Sequence, residues 1–341
     1  MTDTTLQTER VSRLVQEILG ERSVTDVIPA DEGTDDVFFV TVEMPNGDRS
    51  CVLKSRSFVD PPSFRVEPRI LDFVNRRTGI PVPNVLGYVD EHDDLSAPFF
   101  LMERASGEAV SGPTSLTDDA LSRTARDAGR HLGELHAAAT FDGYGWLRAG
   151  MDADAEPSVG DLSLADLEPD WPARVRSYAE ANLSRIEESE RFADLTDDLR
   201  AGLDSHLEAV PETPESVLLH DDYRFGNLLV DSETGAVRTV LDWGNQFTGH
   251  HEFDLATTEH YLCGRRPLDD DRRAIVHDAL LDGYAETNEL TRDDAFRRRQ
   301  RAYRFVAQLS ALAWFDLWYR GSDDPKKDAT RQKELALSLL P

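Results

Sequence analysis

The stretch His-Asp-Asp-Tyr-Arg-Phe-Gly-Asn-Leu-Leu-Val-Asp at residues 220–231 carries the most informative chemistry in the chain. Asp222 stands five positions before Asn227, and Asp242 follows fifteen positions after Asn227, in a Leu-Asp-Trp-Gly segment. Phosphoryl transfer needs a carboxylate beside the attacking hydroxyl and oxygen ligands for Mg²⁺. Asp222 can provide the first. Asn227 and Asp242 can provide the second, because a Glu-Thr-Gly turn at 233–235 lets two short strands fold back toward one ion.

Asp and Asn also favour turns, so a loop of Asx turns without any ligand is the alternative interpretation of these residues. The spacing of the three side chains, and the apolar runs that flank them, favour the metal site over that alternative. His220 is expected to be a buried structural residue that holds the loop, in preference to a proton shuttle.

The first hundred residues show the patterns of a β-rich region with few helices. Pro-Asn-Gly-Asp at 45–48 is a hairpin signal between two β-rich runs. Expected strands lie at 24–29, 37–44, 49–55, 85–89 and 98–103, and expected helices at 9–20 and 66–77.

After residue 107 the apolar periodicity becomes helical. Expected helices lie at 118–139, 172–190, 195–209, 254–262, 270–287 and 294–320. A loop is expected over 150–170, and a small hairpin region over 217–220, 227–231 and 237–242. We therefore predict an α+β fold with two lobes: a small antiparallel β-rich lobe at 1–104 and a larger helical lobe at 105–341.

The composition of the chain limits the classes of partner that it is expected to bind. The 341 residues carry a net charge of −28, which repels nucleic acids and anionic membranes. No apolar run is long enough to span a bilayer, and no signal peptide is recognised, so a cytoplasmic location is expected. Cys51 and Cys263 are far apart, which argues against a disulfide framework or a zinc site.

The chain has only four lysines against 33 arginines: Lys54, Lys326, Lys327 and Lys333. Together with the acidity, this scarcity predicts a halophilic protein, in which negative charge is a solvation feature spread over the surface. The acidity therefore does not identify a substrate, and the oligomeric state stays open.

Five segments in order make the chain resemble the aminoglycoside phosphotransferase/choline kinase superfamily, which shares the protein-kinase-like fold. The resemblance spans roughly residues 25 to 320. Its segments are Ile-Pro-Val-Pro-Asn-Val at 80–85, Pro-Phe-Phe-Leu-Met-Glu-Arg at 98–104, Leu-Gly-Glu-Leu-His at 132–136, the loop at 220–227, and Leu-Asp-Trp at 241–243.

The resemblance implies an ATP- and Mg²⁺-dependent small-molecule kinase in which Asp222 is the catalytic base and Asn227 and Asp242 bind the metal. Lys54 would hold the nucleotide phosphates, with Glu67 as its ion-pair partner. Further implied positions are the backbone of Leu101, Met102 and Glu103 at the adenine edge, Gly33 in the phosphate-cradling turn, and Asp254 as a brace for the loop that His220 begins.

Three positions depart from the family pattern. Asp221 replaces the usual glycine after the loop histidine and is expected to add a carboxylate near the transferred phosphate. Gly33 stands alone where protein kinases have three glycines. Arg224 occupies a position that is lysine in protein kinases, and it is expected to brace the transferred phosphoryl group.

The acceptor is not identified by any motif. The alternatives are an aminoglycoside, a sugar, choline or another amino alcohol, and the nucleotide is ATP or another nucleoside triphosphate. A pseudokinase that binds nucleotide and regulates a partner is a further alternative. Two features are expected to be structural: His-His-Glu at 250–252 as a polar loop, and the aromatic residues between 314 and 319 as core.

Overall fold

The protein is described by a computed structural model that covers residues 2–30, 36–55, 61–150, 162–244 and 246–341. The chain divides into two compact units. The first comprises Met1–Gly107, Leu147–Ser163 and Arg238–Asn245, and the second comprises Glu108–Trp146, Leu164–Val237 and Gln246–Pro341.

The first unit is built on one antiparallel sheet with two long helices. Its elements are α1 (Thr2–Leu19), β1 (Val24–Pro29), β2 (Asp36–Val42), β3 (Arg49–Ser55), α2 (Pro61–Arg77), β4 (Val85–Val89) and β5 (Phe99–Glu103). The strand order is β1-β2-β3-β5-β4. The Pro-Asn-Gly-Asp turn joins β2 to β3, as its sequence predicts.

Side-chain alternation explains the core of this unit. Phe38, Val40 and Val42 of β2 point to the same face of the sheet and are buried, because alternate residues of a strand share a face. Val11 and Leu14 of α1 pack in the same cluster. Strand β5 is buried along almost its whole length and pairs with β3 on one side and β4 on the other, so its backbone is fixed on both sides.

The second unit is mainly helical. Its strands, three of which extend across the unit boundary, are β6 (Glu108–Ala109), β7 (Thr140–Phe141), β8 (Tyr144–Ala149), β9 (Leu162–Glu168), β10 (Ser216–Leu219), β11 (Leu228–Val230), β12 (Val237–Val240) and β13 (Phe247–Gly249). Its helices are α3 (Asp118–Ala138), α4 (Trp171–Glu187), α5 (Thr196–Leu207), α6 (His251–Leu262), α7 (Asp271–Ala285), α8 (Asp294–Ala313), α9 (Phe315–Trp318) and α10 (Pro325–Leu339).

Two features organise this unit. A sheet in the order β7-β10-β13-β8-β9 meets an aromatic core in which Trp171 packs against Phe247 and Phe253. Helices α3 and α7 pack closely, since a Cβ on Gly129 would lie 2.0 Å from the carbonyl oxygen of Leu280. Any larger residue at Gly129 would force the two helices apart.

The predicted fold class is confirmed: an antiparallel sheet comes first and a helical part follows. The expected loop over 150–170 is wrong for residues 162–168, which form β9, while residues 151–161 lie outside the described part of the chain. The expected helix at 294–320 breaks at Trp314, whose backbone leaves the helical region. None of the described helices is long and apolar enough to cross a membrane.

The expected hairpin region after residue 216 is confirmed for β11 and β12, which are neighbours in one sheet on either side of the Glu-Thr-Gly turn, and is wrong for β10. Strand β10 pairs with β13 and β7, whereas β11 pairs with β6. Closeness in sequence suggested a hairpin, but the loop at 220–227 separates the two strands into different sheets. Helix α10 and strands β6, β7, β8 and β13 were not predicted.

Candidate active site

An ion pair lies on the sheet of the first unit. Lys54 on β3 donates from Nζ to Oε1 and Oε2 of Glu67 on α2, at 2.7 and 2.9 Å. The side chains are 14% and 4% exposed. Two charges are costly to remove from water, and contact with both carboxylate oxygens offsets part of that cost. The pair therefore holds an ammonium group at a fixed place.

The Leu-Asp-Trp-Gly segment lies in the same unit. Trp243 is buried, and its indole N–H donates to the carbonyl of Val240 at 3.1 Å. Asp242 is exposed and has a left-handed backbone, with φ of 64°. A Cβ built on Gly244 would lie 3.6 Å from Oε2 of Glu67. The buried tryptophan thus anchors a strained turn that presents the Asp242 carboxylate at the surface of the unit, close to the Lys54–Glu67 pair.

The end of β5 offers a backbone edge. The N–H of Glu103 donates to the carbonyl of Asn84 at 2.8 Å, and that of Arg104 donates to the carbonyl of Ser50 at 3.1 Å. These donors are engaged within the unit. The first N–H beyond them is that of Ala105, which has no backbone partner among the described residues. Gly33, the expected phosphate-cradling glycine, lies outside the described residues.

The loop between β10 and β11 orients a carboxylate in the second unit. Asp222 accepts a hydrogen bond from Nε of Arg224 at 2.7 Å on one oxygen, and from Nδ2 of Asn227 at 2.7 Å on the other. The same Nδ2 donates to the Asp222 carbonyl at 2.9 Å. Because the nitrogen of the Asn227 amide faces Asp222, its oxygen faces the other way and is placed to bind a cation.

A buried carboxylate braces this loop. Asp254, in the first turn of α6, is completely buried. It accepts from the N–H of His220 at 2.7 Å and from the N–H of Asp221 at 2.8 Å. His136 on α3 contacts it at 3.2 Å. Two consecutive backbone groups are thereby fixed by one side chain, which holds the Asp222 carboxylate in place.

Asp221 differs from the expectation that its carboxylate adds negative charge near the transferred phosphate. Its backbone is left-handed, with φ of 60°, which explains why glycine suits this position. Its carboxylate accepts from the Tyr178 hydroxyl at 3.1 Å. Burial, followed by the charges of Asp254 and Asp222, raises the pKa of Asp221 to about 8, against the opposing effects of Tyr178 and Arg174. The group is therefore mostly neutral at pH 7 and does not add the negative charge that was expected.

The model of the phosphotransferase enzyme family known as APH matches residues 26–292. The chain belongs to this family.

Solved structures of the APH phosphotransferases and related kinases share the fold. Aminoglycoside phosphotransferase APH(4)-Ia gives a TM-score of 0.63 at 18% identity, covering 97% of this chain and 99% of that one. Macrolide 2'-phosphotransferase MphH from Brachybacterium faecium gives 0.58 at 19% identity, covering 94% and 97%. The microcompartment-associated aminopropanol kinase gives 0.60 at 20% identity, covering 96% and 94%.

A longer relative is similar to part of this chain. The acyl-CoA dehydrogenase family member 10 of Mus musculus is 27% identical over 201 residues, which is 56% of this chain. The chain spans only 16% of the length of that mouse protein. The mouse protein is therefore a further relative by sequence, and its name assigns no activity to this chain.

The His-His-Glu segment of this APH-family chain is not a polar loop. His250 precedes α6, and the three side chains place ligand atoms within 4.8 Å of one another. Two of the three residues are engaged in other contacts, however: Glu252 forms two hydrogen bonds with Arg299, at 2.7 and 2.6 Å, and Nδ1 of His250 contacts the Tyr303 hydroxyl at 3.0 Å. The cluster joins α6 to α8.

The expectation of an aromatic core between 314 and 319 holds for Phe315, which is buried, and for Tyr319, which is partly buried and packs against the same core. Trp314 is 39% exposed, so that assignment is wrong. Trp318 is half-buried, and its ring lies 5.6 Å from the guanidinium of Arg224 and 5.1 Å from that of Arg265. Trp318 thus borders the Asp222 loop through Arg224.

Two further residues escaped sequence reasoning. Tyr178 bonds Asp221, and Arg174 lies one turn earlier on α4. Nothing in the local sequence distinguishes them from other helix residues. Only the packing of α4 against the aromatic core of this phosphotransferase brings them to the loop.

Proposed function

We propose that the protein is an ATP- and Mg²⁺-dependent phosphotransferase that acts on the hydroxyl group of a small molecule. The observation that carries this proposal is the Asp222 carboxylate, held by Arg224 and Asn227 in a loop that Asp254 braces. A carboxylate whose two oxygens are fixed by different donors is suited to orient one hydroxyl and to accept its proton.

The nucleotide groups are assigned by the same chemistry. Lys54, oriented by Glu67, would neutralise the α- and β-phosphates of ATP or another nucleoside triphosphate. Since the N–H groups of Glu103 and Arg104 are engaged, we place the adenine edge at the end of β5, on the Glu103 carbonyl and the N–H of Ala105.

The donor set fits Mg²⁺. Asn227 offers an amide oxygen that its own nitrogen turns away from Asp222, and Asp242 offers an exposed carboxylate; oxygen ligands of this kind suit a hard cation. A Mg²⁺ ion held by ligands of this kind would neutralise charge on the phosphates during transfer.

In the reaction, the acceptor oxygen forms a bond to the γ-phosphorus as the bond from that phosphorus to the bridging oxygen breaks, and the nucleoside diphosphate leaves. Asp222 orients the hydroxyl and takes its proton. The Arg224 guanidinium is placed beside Asp222 to stabilise negative charge on the transferred group. Asp221, mostly neutral at pH 7, does not oppose the approach of phosphate.

For the acceptor, the printed names of similar structures include an aminoglycoside, a macrolide and an aminopropanol enzyme. APH(4)-Ia has a ternary complex with AMP-PNP and hygromycin B. We infer an aminoglycoside-phosphotransferase-like reaction, with a sugar, choline or amino-alcohol kinase as alternatives. A pseudokinase is disfavoured by the complete set of Lys54, Asp222, Asn227 and Asp242.

We further infer a cytoplasmic, halophilic enzyme from the acidity, the scarcity of lysine and the two buried free cysteines.

The test is ADP release from Mg-ATP over a panel of aminoglycosides, macrolides, sugars and amino alcohols, in dilute buffer and in molar KCl. The Asp222→Asn variant is the inactive control. Acceptor-dependent ADP release by the wild type, absent from this variant, supports the proposal. Nucleotide binding without turnover of any acceptor, in both salts, would favour the pseudokinase.

A further inference from the structure

Arg174 on α4 is a buried arginine without a fixed partner. It is 4% exposed. Its guanidinium lies beside two aromatic rings that contact each other, 4.5 Å from the centroid of Trp146 and 4.8 Å from that of Phe247. Among the described residues no acceptor is hydrogen-bonded to its Nε or Nη2, although both atoms are buried. Buried polar groups are nearly always paired, so the two groups require an explanation.

The two groups form one binding edge. The N–H of Nε and one N–H of Nη2 point in the same direction from the planar guanidinium, at the spacing of two oxygens of a carboxylate or phosphate. The rings of Trp146 and Phe247 have centroids 5.3 Å apart, so both lie on the same side of the guanidinium carbon.

Nearby carboxylates do not occupy the edge. Burial lowers the pKa of Arg174, and Asp221, Glu168, Tyr178 and Asp166 oppose that effect, but none of them forms an ion pair or hydrogen bond with the guanidinium. Glu168 accepts a hydrogen bond from Ser177, and Asp221 accepts one from Tyr178. In a chain with 65 acidic residues and 37 basic ones, a buried arginine without a contacting carboxylate is unexpected.

The edge lies close to the Asp222 loop. Arg174 and Tyr178 are one helical turn apart on α4, so they share a face of the helix. Both contact the ring of Phe247; the Tyr178 and Phe247 centroids are 5.8 Å apart. The Tyr178 hydroxyl donates to Asp221, the residue before Asp222. A small molecule with its hydroxyl at Asp222 can therefore extend toward Arg174.

We propose that Arg174 binds an oxyanion on the acceptor, a carboxylate or a phosphate, so that the preferred acceptor is a small anionic alcohol. This inference rests on the proposed function and narrows it. A cationic acceptor such as an aminoglycoside or an amino alcohol would meet the positive charge of Arg174. Asp221 does not cancel the preference for an anion, because its carboxyl group is mostly protonated at pH 7.

The experiment uses two matched sets of alcohols that differ in one group. The three-carbon set is glycerol, glycerate, glycerol 3-phosphate and 3-amino-1,2-propanediol, and the six-carbon set is glucose, gluconate, glucose 6-phosphate and glucosamine. The kcat/KM of ADP release should be at least about 10-fold higher for an anionic member than for its neutral parent, since a hydrogen bond to a charged group contributes about 1.5–3 kcal/mol. Comparison of the carboxylate and phosphate members shows which oxyanion binds. Equal or better use of the neutral or cationic members would overturn the proposal.

Variants test whether Arg174 is the cause. Arg174→Lys keeps the charge and loses the two-pronged edge, and Arg174→Gln loses the charge; both should raise the KM for the anionic acceptor by about 10- to 100-fold and leave the Kd for Mg-ATP unchanged. The matched control is Arg176→Gln on the same helix, which removes an exposed pair with Asp204 and should keep the preference. An anion preference that survives in folded Arg174 variants would overturn the assignment. If neither variant folds, the wild-type comparison still decides whether an anion is preferred.

Calorimetric titration of the same compounds separates this inference from the proposed function. Glycerate, gluconate or a phosphate ester that binds to the wild type and not to Arg174→Lys supports the oxyanion site even if no acceptor is phosphorylated. Absence of binding by every anionic member, with or without Mg-ADP, would overturn the oxyanion site even if a neutral alcohol were phosphorylated.

Discussion

Replacing Asp221 by Asn should remove a pH dependence of stability that the wild type has. Asn keeps the shape of the side chain and tolerates a left-handed backbone, so the loop should keep its conformation. The folded state holds a proton on Asp221 up to a pKa of about 8, because burial and the charges of Asp254 and Asp222 disfavour the carboxylate. The unfolded chain loses that proton near the ordinary pKa of 3.8. Between these values the folded state binds the extra proton, so the free energy of unfolding falls as pH rises.

The size of the effect follows from the pKa difference. Each pKa unit corresponds to about 1.4 kcal/mol, so the whole interval amounts to about 6 kcal/mol. The Asp221 side chain keeps some contact with solvent, and we therefore expect about half of this value, ~3 kcal/mol. At about 2–4 °C per kcal/mol, the wild type should lose about 6–12 °C of Tm relative to Asp221→Asn between pH 4 and pH 8.

The assay is thermal melting of both proteins in a pH series at fixed salt. Titrations that the two proteins share cancel in the difference between their Tm values. A control of opposite sign is Glu259→Gln. Although burial alone would raise the pKa of Glu259, Arg304, His277 and Arg273 hold it below its usual range, so the wild-type advantage should be present at neutral pH and lost in acid. Parallel curves for the wild type and Asp221→Asn would refute the assignment of a buried, protonated Asp221.

Four other outcomes are expected. Asp222→Asn should lower kcat by about 10²- to 10⁴-fold with little change in the Kd for Mg-ATP, and Asp221→Asn should be much milder; an exchange of the two effects would refute the choice of base. Lys54→Met should reduce nucleotide binding and also the Tm, because Glu67 loses its cation at a cost of about 3–5 kcal/mol. Adding Glu67→Gln should restore the Tm alone, and recovery of binding as well would show that the pair has only a structural role. Asp242→Ala should nearly abolish calorimetric binding of Mg-ATP, and wild-type affinity would exclude it as a ligand. The Tm should rise with KCl, because carboxylates repel over about 30 Å at 0.01 M salt and about 3 Å at 1 M; equal Tm values would contradict adaptation to salt.

Local signals predicted much of the fold. The Pro-Asn-Gly-Asp turn and the alternation on each side of it are enough to specify the hairpin of β2 and β3. Helix α3 begins where its sequence indicates, since the Thr117 side chain caps the N–H of Ala120. These features depend on neighbours within a few residues, and sequence patterns record such neighbours well.

Long-range pairing was not predictable in the same way. The partners of β10 lie in β13 and β7, and three-residue strands such as Phe247–Gly249 carry too little pattern to be recognised. Helix α10 is different, because Pro325 at its start and the buried Leu335 and Leu339 form a recognisable helix signal in the sequence itself. The strand pairings depend on residues distant in sequence, whereas helix α10 is predictable from its own sequence.

The candidate site shows the same division. Motif spacing indicated Asp222 and Asn227, and the structure brings them into direct contact. The neutral state of Asp221 and the free edge of Arg174 could not be inferred, because both arise from burial against α4 and from side chains distant in sequence. A motif specifies which groups are present, whereas their charge and availability are set by the packing around them.

The use of lysine at position 54 is itself an argument about function. Arginine is the usual cation of this chain, with 33 arginines against four lysines, and the other lysines all lie at or beyond Lys326. Solvated basic residues of this chain are mostly arginines, and the exposed lysines Lys326 and Lys327 lie together at the start of α10. Lys54 is instead largely buried and contacts both oxygens of Glu67. Arginine has a wide planar fork, whereas lysine presents a compact charge on a narrow stem that can approach a phosphate beside a carboxylate. Retention of lysine at this one buried position is therefore better explained by a requirement for a point charge than by stability, because an apolar pair of similar volume would stabilise the sheet at least as well.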